Sequence, residues 1–547
     1  WTSNNFASAD SALDDTPVDN FCTLNFIDKH SSATLSEGNL KVNGTASGWY
    51  GVTGTTSVSS GKYYWEADIT AIGNYVQIGI CNSAHRGVTD TSLETYTNAW
   101  GYYSYQGNKL YNSASSSYGA SFTTGDTIGI ALDMDDGEVF FYKNGAIQNS
   151  GTEAFSSITG HIRPIVQLYG SATVTFDFNP TCPTGFLPLS SANLPEIEIG
   201  QEADDLATDY FNTVLYTGTG VSGLSVTGMG FSPDLIWIQP RSNGDNGVSW
   251  DTVRGDTKRF KLNTDAAEDT DGTALLTFES DGFDLDTTDT NFNGSSRTYV
   301  AFGWLAGTAF SGTSTGSGTG KAYSGQSNED AGFSVSTYLG NGSAGHTIPH
   351  NLSVAPDFVV VKRRTGSADW WGVFHSANTS APATDYLVLN ETQATSDLTI
   401  WNDVLPSSSV VSLGTNTGVN GDDVPYLMYA FHNVEGYSKF GSYTGNSSAD
   451  GTFVYTGFEP AFIVVKRSDS SGTGWGVFDN KRDPFNAVGD ELYLDDNATE
   501  ATGDRDFDFV SNGFKNRRSS TYFNTTGGTY VYMAFSSGTG FKYGTAN

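Results

Sequence analysis

The sequence is poor in basic residues, with 27 Lys and Arg against 60 Asp and Glu and a net charge of −33 over 547 residues. A surface of that sign repels nucleic-acid phosphates and anionic lipid headgroups. We therefore expect no nucleic-acid partner and no membrane insertion. The same acidity favours solubility in salty water and the attraction of divalent cations.

Cysteine is also scarce. There are three, Cys22, Cys81 and Cys182, and neither a CxxC pair nor a Cys/His cluster occurs. A structural zinc site needs such spacings, so none is expected. Cys22 and Cys182 flank the first predicted domain and would meet if its two ends are adjacent. Buried free thiols are the alternative.

Long hydrophobic runs and helically spaced apolar residues are missing too. Instead, 64 glycines and 13% aromatic residues accompany short apolar runs that turn residues interrupt. This texture is typical of an all-β protein. The HExxH motif of zinc proteases is not found, and no carboxylate pair stands out among the 60 acidic residues. The sequence therefore predicts a protein that is not an enzyme.

The chain contains one sequence motif in three copies. FSPDLIWIQP, VAPDFVVVKRR and FEPAFIVVKRS begin near residues 231, 354 and 458, and each copy closes on an aromatic strand, TYVAFGW, YLMYAFHN or TYVYMAFSS. The spacing exceeds the roughly 20–50 residues of a solenoid repeat and suits a complete β-sandwich. We therefore predict three self-sufficient sandwiches in tandem. Trp237, Trp371 and Trp475 recur in the copies, which predicts core positions.

The predicted fold class is a bent β-sandwich followed by three tandem β-sandwich modules. The boundaries follow from the repeats and from the Gly/Ser/Thr-rich stretch between the first two, whose composition predicts a flexible linker. We predict a front sandwich with an irregular N-terminal segment at 1–193, a linker at 194–209, repeat 1 at 210–306, a linker at 307–321, repeat 2 with an insertion at 322–435, and repeat 3 at 436–547.

The front part carries an ordered series of motifs, GKYYWEADIT, YVQIGIC, AWGYYSYQGNKLYN and GDTIGIALDMDDGEVFFYKNG. This series resembles the SPRY (B30.2-like) family over about residues 45–180. The resemblance implies a bent two-sheet sandwich that acts as a binding module through loops at one rim. It implies no catalytic residues. The family's partner-contacting loop residues do not map onto this chain, so the resemblance does not indicate the ligand.

Three residues are the predicted ligand-binding set. His85 and Arg86 follow the IGIC strand, where a rim loop is expected, and they are rare basic residues in an acidic domain. Tyr105 belongs to an aromatic run with Tyr102 and Tyr103, which suits sugar stacking. Strand alternation divides such a run between two faces, so at least half of it is expected in the core.

Calcium is left open as a cofactor. Asp284, Asp286 and Asp289 place carboxylates at nearly alternate positions, which suits the oxygen ligands of Ca²⁺, but they do not match an EF-hand loop. His346 and His350 would share a metal only if their loop folds back; two exposed loop histidines are the simpler interpretation.

The triple repeat resembles modules of uncharacterised structural proteins from marine and cyanobacterial phages. This resemblance implies a virion protein, on the virion surface and extracellular, of the tail-fibre or receptor-binding type. Its expected partners are a host cell-surface protein or glycan and other virion proteins. A homo-oligomer, with a trimer favoured, would raise weak affinity through avidity. A capsid decoration or fibre protein is the second interpretation, and a polysaccharide-degrading enzyme is a distant third.

Overall fold

The computed structural model describes residues 20–45, 47–82, 85, 87–194, 199, 205–270, 275–366, 368–503, 506–519 and 522–538. These residues are nearly all in β-strands and turns, as predicted. The chain divides into two compact units, Trp1–Glu196 with Tyr543–Asn547, and Ile197–Lys542. Within the described ranges, no helix is both long and apolar enough to cross a membrane.

The front unit contains fifteen strands in its described part. They are β1 (Leu24–Lys29), β2 (Thr34–Ser36), β3 (Lys41–Asn43), β4 (Trp49–Gly54), β5 (Lys62–Ala71), β6 (Tyr75–Asn82), β7 (Ala99–Tyr103), β8 (Asn108–Tyr111), β9 (Ala114–Ser117), β10 (Thr127–Asp133), β11 (Glu138–Lys143), β12 (Ala146–Ile147), β13 (Ile162–Tyr169), β14 (Thr173–Asp177) and β15 (Leu187–Pro188). Short 3-10 turns cover Leu93–Thr95, Asn149–Gly151 and Ser191–Asn193.

These strands form two antiparallel sheets, ordered β1-β4-β13-β6-β7-β8-β9 and β12-β11-β10-β5-β14-β3-β2, with β15 added in parallel beside β5. This is the two-sheet sandwich that the sequence predicted. Two of its hairpin turns need glycine, because Gly137 and Gly145 lie at positive φ, 70° and 76°. Cys22 and Cys182 do not pair, and all three cysteines are free thiols.

The second unit holds three copies of one plan. The first copy has β16 (Phe211–Thr217), β17 (Leu224–Thr227), β18 (Leu235–Pro240), β19 (Val248–Asp251), β20 (Lys258–Lys261), β21 (Asp269–Thr270), β22 (Leu275–Glu279), β23 (Gly282–Asp286), α1 (Thr290–Asn293) and β24 (Thr298–Trp304). The second has β25 (Thr308–Thr313), β26 (Thr315–Gly316), β27 (Ala322–Asn328), β28 (Phe333–Leu339), β29 (His346–Pro349), β30 (Phe358–Arg363), β31 (Trp371–His375), β32 (Asp385–Val388), β33 (Ser396–Asp397), β34 (Val410–Leu413), α2 (Thr417–Asn420) and β35 (Pro425–Phe431).

The third copy has β36 (Ser438–Thr444), β37 (Phe453–Tyr455), β38 (Pro460–Arg467), β39 (Trp475–Asp479), β40 (Leu492–Tyr493), β41 (Phe507–Val510), β42 (Gly513–Asn516) and β43 (Thr529–Ser536). Two 3-10 turns of this unit lie at Ala207–Asp209 and Thr399–Trp401. Each copy pairs a large antiparallel sheet with a three-stranded one. The sheets are β16-β24-β18-β19-β20-β21 with β17-β23-β22, β25-β27-β28-β35-β30-β31-β32-β33 with β26-β29-β34, and β36-β43-β38-β39-β40 with β37-β42-β41.

Each copy is therefore a sandwich with its own core between its two sheets. In the first copy that core includes Ile236, Ile238 and Tyr299. The second and third copies build equivalent cores from the matching strands. Along each central strand the alternate residues point away from this core, to the other face of the large sheet.

Those other faces meet in one shared interior, and here the prediction of three self-sufficient modules is wrong. One continuous core cluster contains Trp237 and Trp304 of the first copy, Phe431 of the second and Phe535 of the third. The Trp304 ring centroid lies 6.3 Å from that of Phe431 and 5.8 Å from that of Phe535. The central strands read as unbroken apolar runs because both of their faces are buried. The recurring tryptophans are buried as predicted.

The predicted flexible linker at 307–321 is also wrong, because most of it forms β25 and β26. β25 pairs with β27 along its whole length, as the edge strand of the second copy's large sheet. The β propensity of Thr and Phe in this stretch, together with hydrogen bonds from a partner strand, outweighs the flexibility of its glycines. The register identifies matching first strands: Tyr216 lies opposite Tyr299, Tyr338 opposite Tyr426 and Tyr443 opposite Tyr530 in the three copies. The insertion in the second copy is therefore the β25–β27 hairpin that precedes β28.

Burial of His375 makes the second unit sensitive to acid. The ring is 1% exposed, its Nε2–H donates to the Tyr532 carbonyl at 3.1 Å, and Nδ1 accepts from the Ala377 amide. Burial lowers the pKa of His375 to about 4. Between pH 6.5 and 4 the unfolded chain takes up a proton that the folded chain refuses, so stability falls as the pH falls through that window.

We expect His375→Gln to flatten this dependence by roughly 2 kcal/mol between pH 6.5 and 4.5, at about 1.4 kcal/mol per pKa unit. Urea unfolding at several pH values measures it. His30, which lies in the front unit, supplies the control variant, His30→Gln. Parallel stability curves for His375→Gln and the unmodified chain would contradict the assignment.

Candidate functional site

Four neighbouring strands of the front unit bring aromatic residues to one end of the seven-stranded sheet. In the cross-strand register Tyr169, the last residue of β13, lies opposite Trp49 on one side and Tyr75 on the other. Tyr103 ends β7, the next strand, and Tyr105 follows two residues later. We call these five residues the aromatic platform. Adjacent strands are about 4.8 Å apart, so the platform extends about 14 Å across the sheet.

The platform rings contact one another. The Trp49 centroid lies 5.4 Å from Tyr169 and 6.4 Å from Tyr75, and the Tyr75 centroid lies 5.6 Å from Tyr103 and 5.8 Å from Tyr105. Most of these pairs are tilted or edge-to-face, a favourable geometry for aromatic rings. The result is a continuous aromatic surface built from residues up to 120 positions apart in sequence.

Solvent reaches this surface. Tyr105 is 54% exposed, and the other four members are half-buried. Within the described ranges, none of the four tyrosine hydroxyls is engaged in a hydrogen bond. Burial, together with the neighbouring Tyr75 and Glu94, raises the pKa of Tyr103 to about 12. Its phenol therefore stays protonated at neutral pH and can donate as well as accept a hydrogen bond.

Of the predicted ligand-binding residues, Tyr105 lies on the platform and His85 does not. His85 is 2% exposed, its Nδ1 is 3.1 Å from Asn98 Oδ1, and its ring meets Tyr96 edge-on. Its carbonyl accepts from Arg163 at 2.6 Å. Burial lowers its pKa. The expectation of an exposed rim histidine is thus wrong, because His85 is buried beside the Arg163–Asp28 ion pair, whose atoms are 2.9 Å apart. Arg86 lies outside the described residues.

The aromatic run divides as strand alternation predicted. Tyr102 is fully buried and stacks 5.1 Å from Phe141 in the core, whereas Tyr103 and Tyr105 face outward. Trp49, Tyr75 and Tyr169 were missed. One local signal accompanies all three, since each aromatic residue begins or ends a strand beside a turn containing glycine.

The three aspartates proposed for calcium have separate roles. Asp289 caps α1 through the Asn291 amide at 2.9 Å and pairs with Arg259 at 2.8 Å. Asp286 is exposed and accepts from Ser222, and Asp284 is half-buried on β23. In the described ranges, no group of three or more His, Cys, Asp or Glu side chains is arranged to hold a metal ion.

His346 and His350 are buried, not loop-exposed, and they make separate contacts. His346 lies between Ser314 Oγ, 2.6 Å from Nε2, and Asn420 Oδ1, 2.9 Å from Nδ1. His350 Nε2 donates to the Ser407 carbonyl. The pKa of each histidine is lowered by burial.

The hydrogen-bonded set Ser314–His346–Asn420 has the connectivity of a nucleophile, base and orienting residue, and residues 312–316 match the GxSxG motif. Its burial and its other hydrogen bonds indicate a structural role and not a catalytic one. Ser314 is 4% exposed and its Oγ already accepts the Lys321 amide at 2.8 Å. Asn420 also donates to two loop carbonyls, as the matching Asn293 and Asn524 do in the other copies. We therefore interpret the hydrogen bonds among Ser314, His346 and Asn420 as structural bonds that hold neighbouring loops together.

The fold and the platform define an all-β protein in which a sandwich with an exposed aromatic surface precedes a three-copy β unit. Residues 62–181 match the SPRY domain family, so the front unit contains a SPRY domain. Residues 206–538 match the family described as domain of unknown function (DUF7483), and this match covers more than half of the chain. The chain belongs to that family. One family model spans all three copies, in agreement with their shared interior.

Several proteins are similar to a part of this chain. The SPRY domain of human HERC1 is 24% identical, covering 28% of this chain and 96% of that one, with a TM-score of 0.24. Stonustoxin is 25% identical, covering 29% and 27%, also with a TM-score of 0.24. The ATP-dependent RNA helicase DDX1 of Xenopus laevis is 35% identical over 98 residues, which is 18% of this chain. The chain spans only 12% of that relative's length.

Proposed function

We propose that this chain is a non-enzymatic adhesion protein whose SPRY domain binds a surface glycan through the aromatic platform. The observation that carries the proposal is the platform itself, a row of partly exposed rings with free hydroxyls. Aromatic faces contact the C–H faces of sugar rings, and hydroxyls at their edges donate and accept hydrogen bonds. A row about 14 Å long suits an extended oligosaccharide better than a single small molecule.

We further propose that the protein belongs to a phage virion, as a tail-fibre or receptor-binding component. This part rests on the resemblance of the repeats to phage structural proteins. The host glycan is its proposed partner, together with other virion proteins. The compact three-copy unit supplies a rigid mount, and a homo-oligomer, with a trimer favoured, would multiply the affinity of each platform. A capsid decoration protein is the second candidate.

Truncating the platform should abolish adhesion. We expect Tyr105→Ala to weaken binding to immobilised bacterial lipopolysaccharides and exopolysaccharides about tenfold, equal to about 1.4 kcal/mol, and Tyr75→Ala combined with it to remove detectable binding. Surface plasmon resonance measures both. Tyr522→Ala, which removes a comparably exposed tyrosine of the second unit, is the matched control.

The outcomes separate the candidates. Equal binding by the platform variant and the control would refute the platform as the site. Binding to purified capsids but not to host cells would favour capsid decoration. Release of reducing sugar from host polysaccharide would show an enzyme instead.

A further inference from the structure

The three copies of the second unit form a closed ring. At each junction a loop of one copy donates a backbone hydrogen bond to the strand end of the next. Glu268 N donates to Arg364 O at 3.0 Å, Thr395 N to Ser468 O at 2.9 Å, and Glu500 N to Arg241 O at 2.9 Å. The last bond returns from the third copy to the first. The same contact made three times identifies equivalent residues at the three junctions.

At two of the junctions, two arginines and two acidic residues form a network of ion pairs, which we call the ionic bracket. Between the first and second copies, Arg254 pairs with buried Asp251 and also approaches Glu268, which holds Arg364 of the next copy in a two-bond pair at 2.8 and 3.0 Å. Between the third and first copies Arg482, Asp479, Glu500 and Arg241 repeat the arrangement. There Arg241 contacts Glu500 with both bonds at 2.8 Å.

At the junction between the second and third copies, none of the four charged residues of the ionic bracket is present. His375, Asn378, Thr395 and Ser468 stand where the other junctions have Asp, Arg, Glu and Arg. Each of the last three is much shorter than its counterpart. A cavity of about 620 Å³ opens there, and Asn378, Thr395 and Ser468 all line it. The missing side chains explain why the cavity lies at this junction.

The lining is rich in hydroxyl groups and contains one charged residue. Besides those three residues it includes Thr379, Ser380, Ser442 and Thr529, with the methyl groups of Ala377 and Ala394. The one charged lining residue, Asp469, is paired with Arg467 at 2.9 Å and accepts from the Thr529 amide. Asn378 is 3% exposed, and its Nδ2 has no partner within the described ranges.

We propose that this cavity binds a neutral, polyhydroxylated molecule of monosaccharide size. The volume falls within the roughly 300–1,000 Å³ of small-molecule sites. The Ser380 and Ser442 hydroxyls can both donate and accept, and the Thr395 oxygen, whose proton goes to Asn378, can still accept, so the lining matches sugar hydroxyls. The two alanines offer an apolar floor. An anion would find no unpaired cation, and a metal ion would find no free carboxylate. The site belongs to a different unit from the aromatic platform and is independent of it.

The test uses the full chain with Tyr75→Ala and Tyr105→Ala, so that the platform makes no contribution. Saturation-transfer NMR is recorded with D-glucose, D-galactose and N-acetyl-D-glucosamine as probes. We expect transfer to at least one sugar, and a signal at least about tenfold lower when Ser442→Trp fills the cavity from its exposed rim. Ser225→Trp, at an exposed strand position of the first copy, is the matched control and should keep the signal.

A second variant restores the bracket. Asn378→Arg, Thr395→Glu and Ser468→Arg together, with His375→Asp, should fill the cavity and remove the sugar signal while the chain stays folded by circular dichroism. Absence of transfer to all three sugars, or equal transfer in Ser442→Trp and Ser225→Trp, would overturn the proposal. Neither result bears on the platform, whose binding is measured separately with immobilised polysaccharides.

Discussion

Arg482→Met should lower the free energy of unfolding of the second unit by about 3–5 kcal/mol, the usual cost of stranding a buried charge. Arg482 and Asp479 both have side chains with 0% exposure, and the same guanidinium reaches Glu500 at 3.0 Å and the Val477 carbonyl. Without the arginine, Asp479 keeps only two backbone amide donors, those of Lys481 and residue 482. Two amides do not replace a paired cation in a site that water does not reach.

Chemical denaturation followed by tryptophan fluorescence measures this effect. Arg467→Ala is the control, because Arg467 pairs with the partly exposed Asp469 and such pairs contribute about 0–1 kcal/mol. Replacing both members, Arg482→Met with Asp479→Asn, should cost less than Arg482→Met alone. If the single and control variants lose the same stability, the bracket does not hold the ring together.

The third copy cut out as residues 436–547 should not fold. Phe462, Val464, Met533 and Phe535 are at most 3% exposed in the intact unit because they face the shared interior. Alone, the copy would present that whole sheet face to water, which removes the burial that stabilises it. The second unit as a whole, by contrast, should unfold in one cooperative transition.

Proton NMR dispersion and urea unfolding of three fragments check this. Residues 206–538 and the front unit, 20–194, should each give dispersed spectra and a cooperative transition, and 436–547 should give neither. A cooperative transition in the isolated third copy would restore the picture of independent modules and would refute a ring that depends on closure.

Local patterns in the sequence were sufficient for the all-β class and for the burial of Trp237, Trp371 and Trp475, and the family resemblance supplied the SPRY-like front sandwich. Gly137 and Gly145 sit at turns that need positive φ, and β-formers fill the strands between them. The front prediction depended on the resemblance of an ordered series of motifs to the SPRY family. Tyr103 and Tyr105 belonged to the predicted aromatic run, but Trp49, Tyr75 and Tyr169 come from three other strands, which no local pattern associates with it.

The sequence by itself determined which residues form strands and that one β-sandwich domain is repeated three times. Only the tertiary structure decided that the copies share an interior, because an unbroken apolar run indicates that both faces of a central strand are buried but does not indicate what covers the second face. It also decided that 307–321 contains the edge strand β25, since the partner strand β27, and not composition, supplies the hydrogen bonds of β25. The cavity between the second and third copies became visible only after the ring aligned Asn378, Thr395 and Ser468 with the charged residues of the other junctions.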